Sequence, residues 1–144
     1  MGTEVSSLSI DIYADGADLD SIRKLAADPL IAGFTTNPTL LRKAGVTDYA
    51  GFSHQMLEVV PDRPISFEVV ADTVEEISRQ ALQIATWGEN VFVKLPITTT
   101  DGTSLAPLAK DLAGEGVKLN VTALMTTDQV AEITPALADG PDCF

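Results

Sequence analysis

One lysine sits inside an otherwise apolar run, Val91-Phe92-Val93-Lys94-Leu95-Pro96. The run is too short for an ordinary helix, Val91 and Val93 favour extended backbone, and Pro96 closes it, so it predicts a buried strand. Side chains alternate along a strand, which puts Val91, Val93 and Leu95 on one face and Phe92 and Lys94 on the other. A lysine turned into protein is costly unless it has a partner or a task. Attack on a carbonyl is such a task, because desolvation favours the neutral amine that acts as nucleophile. An ordinary lysine has only about one molecule in 2,500 neutral at pH 7, so its surroundings must do that work. For this strand taken alone, the plain alternative is a strand-end lysine that snorkels to solvent.

Other polar groups fall in equivalent places. Leu8 to Tyr13 predicts a first strand, with Ile10, Ile12 and Ala14 opposing Asp11, Tyr13 and Asp15. Ile65 to Val70 opposes Ile65, Phe67 and Val69 to Ser66 and Glu68, and Val117 to Val121 opposes Val117, Leu119 and Val121 to Lys118, Asn120 and Thr122. Asn37 leaves a short strand, Ile31 to Thr35, in the same relative position. In a closed (β/α) barrel one strand face packs on helices, the other lines the interior, and catalytic groups sit where strands end. Asp15, Asn37, Glu68, Lys94, Asn120 and Thr122 match that pattern. An open doubly wound sheet would cover both faces with helices and strand Glu68 and Lys94 in apolar surroundings. A purely structural Glu68–Lys94 ion pair is the other interpretation of those two.

The intervening segments predict helices. Asp18 caps the first, with Leu19, Ile22 and Leu25 as its apolar stripe and Pro29 as its stop. Pro38 suits the first position of the next, with Leu40 and Leu41 leading to Gly45. Thr47 starts a third, with Phe52, Met56 and Val59 at helical spacing; it also carries His54, the chain's one histidine. Thr73 with Glu76 forms a capping box for a helix through Ile77, Ala81 and Ile84, near whose end Trp87 serves packing. After a polar loop, Thr98 to Ser104, a helix marked by Leu105, Leu108 and Leu112 ends at Gly114. Thr126 with Gln129 opens the last, through Val130, Ile133 and Leu137. Five alternations of strand and helix over 1–144 give a single α/β domain with a parallel sheet.

Composition narrows the function classes. The 144 residues carry a net charge of −12, which disfavours nucleic acid and anionic membrane surfaces as partners. Cys143 is the sole cysteine, so no intrachain disulfide forms, and with one histidine a zinc site would need an improbable set of carboxylates. No metal and no cofactor is expected. GxGxxG, Walker and GxSxG motifs are absent. Met1 to Ser7 is a polar lead-in without the basic start of a signal peptide, and no apolar run approaches membrane-spanning length. These features predict a cytoplasmic protein.

Tyr13-Ala14-Asp15-Gly16-Ala17-Asp18, Gly33-Phe34-Thr35-Thr36-Asn37-Pro38, Ser66-Phe67-Glu68-Val69, Val91 to Pro96 and Leu119-Asn120-Val121-Thr122 follow one another in an order that resembles the transaldolases. That group includes the related fructose-6-phosphate aldolases. The resemblance covers nearly the whole chain and implies a (β/α)8 TIM barrel of class I aldolase type. It implies that Lys94 forms a Schiff base with a ketose phosphate, and that Asp15 is the acid/base for C3–C4 cleavage. Glu68 and Thr122 would hold a proton-shuttling water, while Asn37, Asn120 and Thr35 would bind substrate. Glutamate at position 68, where the aldolases typically carry glutamine, and Asn120 favour transfer of a dihydroxyacetone unit to an aldose phosphate, in the pentose phosphate pathway. Fructose-6-phosphate aldolase-type cleavage is one alternative, and a truncated, non-catalytic binding or assembly module another.

The resemblance also implies eight strands, of which this chain supplies about five, with the phosphate-holding residues on the later ones. The expectation is an incomplete barrel whose sheet edges are open, with Phe92 and Glu68 meeting water or another chain. The 144-residue polypeptide alone would then be poorly stable and inactive, or would self-associate as a homo-oligomer.

Overall fold

Strand β4 forms over Val91–Pro96, the residues the apolar run predicts. A computed structural model describes residues 8–144; the polar lead-in expected over Met1 to Ser7 lies outside them. Around β4 the described residues alternate β1 (Ile12–Asp15), α1 (Leu19–Ala26), β2 (Ile31–Thr35), α2 (Pro38–Lys43), α3 (Tyr49–Val59), β3 (Ile65–Glu68) and α4 (Val74–Ala85). After β4 come α5 (Ala106–Gly114), β5 (Leu119–Thr122) and α6 (Thr127–Leu137). The five strands form one sheet in the order β1-β2-β3-β4-β5. A doubly wound sheet reverses its strand order at a switch point, and this order does not reverse. The class is α/β, an incomplete series of (β/α)-barrel units. Two compact units divide at Ile65 and Ser66.

In the first unit, β1 and β2 pair in parallel, with Tyr13 opposite Gly33 and Asp15 opposite Thr35. The strand expected from Leu8 begins only at Ile12, and Ile10 is 65% exposed. Ile12 pairs with Ile31, the first residue of β2, so earlier residues have no ladder to join on that side. Gly33 is required by contact: a Cβ there would collide with Tyr13 Cε1 and lie 2.8 Å from the Pro64 carbonyl oxygen. Asp18 caps α1 as predicted, its carboxylate accepting from Ser21 N. Asp48, rather than Thr47, caps α3. The Arg63 guanidinium donates to the carbonyls of Ala26, Asp28 and Ile31, tying off the end of α1. Ile22, Phe34, Leu41 and Met56 are buried.

In the second unit, β4 and β5 pair in parallel. Two strand ends differ from expectation, each because a neighbouring element takes the backbone donor. Strand β3 stops at Glu68 because Val70 N and Ala71 N donate to Gln80 Oε1 on α4. Strand β5 starts at Leu119 because Val117 N donates back to Leu112 O, closing α5 through Gly116 at φ +87. Thr126 and Gln129 form the predicted capping box. Trp87 packs edge-on against Phe67, as its packing role predicts. Phe92 is a correction: it is 6% exposed, its ring 4.5 Å from that of Phe144. Phe144 reaches it through the parallel-ladder pattern, donating to Leu119 O and accepting from Val121 N, each at 2.9 Å. Among the described residues no helix is long and apolar enough to cross a membrane.

Candidate active site

Lys94 lies on β4 one residue before Leu95, and its side chain is 13% exposed. Its Nζ lies 3.4 Å from Glu68 Oε2, with the Glu68 side chain 25% exposed. The main chains meet at the same level, where Val69 N donates to Lys94 O at 3.2 Å. On the other side Lys94 is in register with Asn120, and Pro96 with Thr122. Alternation places Ser66 and Glu68 on one face of β3, and Asn120 and Thr122 on one face of β5. Asn120 Nδ2 donates to Ser66 Oγ at 3.1 Å, and Ser66 is fully buried.

Tied loops frame these strand ends. After β4, Thr98 and Ser104 form an antiparallel bridge, and the Asp72 carboxylate accepts from both the amide and hydroxyl of Thr100. Asp101 accepts from Thr99 and Thr103, whose side chains and amide hold its carboxyl below the usual value. After β5, Ala123 adopts φ 60, and Gln129 Oε1 accepts from Met125 N and Thr126 N. A non-glycine residue there is uncommon, so the turn following Thr122 is held by its surroundings.

The first unit carries the remaining candidates. Asp15 ends β1 opposite Thr35, whose hydroxyl donates to Asp15 Oδ1 at 3.1 Å. Asn37 is the N-cap of α2, its Oδ1 accepting from Thr39 N at 2.8 Å, so part of its polar capacity serves the helix. His54 is exposed on α3, and Cys143 is exposed. Ser66 was not among the sequence candidates. The signal for it was its place two residues before Glu68, which alternation puts on the same face.

An amine beside a carboxylate, flanked by a register-matched amide, can attack a carbonyl and exchange the protons that imine formation requires. Residues 12–140 match the family described as transaldolase/fructose-6-phosphate aldolase. The chain belongs to this family. A probable transaldolase of Dehalococcoides mccartyi is 35% identical over 118 residues, covering 82% of this chain and 53% of the relative. A probable transaldolase of Streptococcus agalactiae is 36% identical over 117 residues, covering 81% and 52%. One from Thermoanaerobacter sp. is 36% identical over 117 residues, covering 81% and 51%. The chain thus spans about half the length of the curated transaldolase relatives it matches.

Proposed function

We propose that this transaldolase-family chain contributes the Schiff-base half of a transfer reaction. Lys94 Nζ attacks the ketone of a ketose phosphate, water leaves, and a protonated imine forms. A base then takes the proton of the C4 hydroxyl, the C3–C4 electrons pass to the imine, and an aldehyde departs. The enamine left on Lys94 attacks the carbonyl of an aldose phosphate, and hydrolysis frees the amine. Asp15 is assigned the acid/base role, and Glu68 with Thr122 the water that carries protons at the amine. Asn37, Asn120 and Thr35 are assigned substrate hydroxyls. Transfer is preferred to free cleavage because position 68 is glutamate.

The observation that supports this most directly is the 3.4 Å approach of Lys94 Nζ to Glu68 Oε2 in a partly buried setting. A proton acceptor within one water of the amine is what imine formation requires. In this proposal the chain is one domain of a cytoplasmic pentose-phosphate enzyme that binds sugar phosphates, associates with copies of itself and binds neither nucleic acid nor membrane. Incubation of a complete barrel that contains this chain with fructose 6-phosphate and borohydride, followed by peptide mass spectrometry, tests it. The adduct is expected on Lys94. An adduct on Lys24, Lys43, Lys110 or Lys118 instead would overturn the assignment.

A further inference from the structure

Asn120 sits beside the reactive-amine candidate, and its usefulness there depends on which way its amide points. The two ends of a carboxamide are nearly equal in size and opposite in hydrogen bonding, so a rotation about the last bond exchanges acceptor for donor. Asn120 Nδ2 donates to Ser66 Oγ at 3.1 Å. Ser66 is fully buried on β3, where no solvent competes for its hydroxyl. Strand β4 lies between β3 and β5, so this bond spans the strand that carries Lys94. Lys94 is in turn the register partner of Asn120 and the ion-pair partner of Glu68, two residues after Ser66.

We infer that Ser66 is a positioning residue that sets the orientation of the Asn120 amide beside Lys94. With one Nδ2 hydrogen given to Ser66, Asn120 offers a ligand its Oδ1 and its second Nδ2 hydrogen. The Oδ1 end accepts from a hydroxyl donor, which is the chemistry of a polyhydroxy ketone. The consequence for turnover rests on the Schiff-base function proposed above; the orientation of Asn120 does not.

The experiment therefore has two independent readouts, both taken on a complete barrel that contains this chain. In the first, the Asn120 side-chain amide resonances, assigned with Asn120→Ala, are compared between the native protein and Ser66→Ala. The Nδ2 proton is expected to move towards the position of a free amide and the side chain to gain mobility. Unchanged resonances would overturn the inference. In the second, kcat/KM for a ketose phosphate is measured for Ser66→Ala, Asn120→Ala and the double variant. Ser66→Ala should lose about 3- to 10-fold, the worth of one neutral hydrogen bond, and nothing further in the Asn120→Ala background. A merely structural serine would give additive losses, and additivity would overturn a role exerted through Asn120. Ser66→Cys, of similar volume and weaker accepting power, should fall between serine and alanine. If native protein gives no borohydride adduct at Lys94, the proposed function fails while the resonances still decide the orientation of Asn120.

Discussion

Lys94 Nζ and Glu68 Oε2 stand 3.4 Å apart, and the strands that carry them are joined at the same level by Val69 N donating to Lys94 O. The main-chain bond limits how far the two side chains can separate. Proton exchange between them, directly or through one water, then needs no rearrangement of the sheet.

Glu68→Gln should slow transfer by about 100-fold or more, the usual contribution of a positioned acid/base group. Borohydride trapping should still label Lys94, since the amine remains. Loss of the adduct in a folded Glu68→Gln protein would show that Glu68 serves the amine itself rather than its proton traffic.

Asp15→Asn should permit the imine and stall C–C cleavage by a similar factor. Thr35→Val, which removes the hydroxyl donating to Asp15 Oδ1, should give a smaller loss in the same step. Should Asp15→Asn keep its full cleavage rate, Asp11 becomes the better base, because Asp18 is occupied in capping α1.

Gly33→Ala should destabilise the protein by about 1 to 3 kcal/mol, read as a lower urea midpoint. The added methyl would meet the Tyr13 ring and, at 2.8 Å, the Pro64 carbonyl oxygen. Tyr13→Ala should relieve only part of the loss, because the Pro64 oxygen belongs to the main chain. Complete rescue would place the whole cost on the ring.

Gln80→Ala should cost about 1 to 2 kcal/mol, because Val70 N and Ala71 N lose their common acceptor. Gln80→Glu keeps an oxygen in place and should recover most of the stability. Equal midpoints for the two variants would contradict the role given to that oxygen.

Stability should fall at both ends of the pH scale, for opposite reasons. Hydrogen bonds from Ser21 hold the Asp18 carboxyl below its usual value of 3.8, and those from Thr99 and then Thr103 do the same for Asp101. A lowered carboxyl contributes stability above 3.8 and loses it as pH falls through the folded value. Tyr13 is raised above 10.0, by burial and then by Asp11, so its contribution is present below 10.0 and fades as pH rises through the folded value. Urea midpoints across pH should show both slopes. Asp101→Asn should flatten the acid one, and Tyr13→Phe the alkaline one.

What the sequence alone determined is local. Val91 to Pro96 and Ile31 to Thr35 are strands with the expected ends, because apolar patterning and Pro96 are properties of the segment itself. The caps at Asp18, Thr73 and Thr126 follow from side chains three residues from the amides they serve. Alternation by itself puts Glu68, Lys94, Asn120 and Thr122 on matching faces of their strands. Tertiary structure decided where β1 begins and where β3 ends, because β2 and Gln80 lie further along the chain; the start of β5 is local, set by Val117 N closing α5 onto Leu112 O five residues earlier. Tertiary structure also covered Phe92 with Phe144 and joined Asn120 to Ser66 across 54 residues. Periodicity carries the direction of a side chain, whereas its partner depends on which strand lies beside it and in what register, and that is settled only when the sheet assembles.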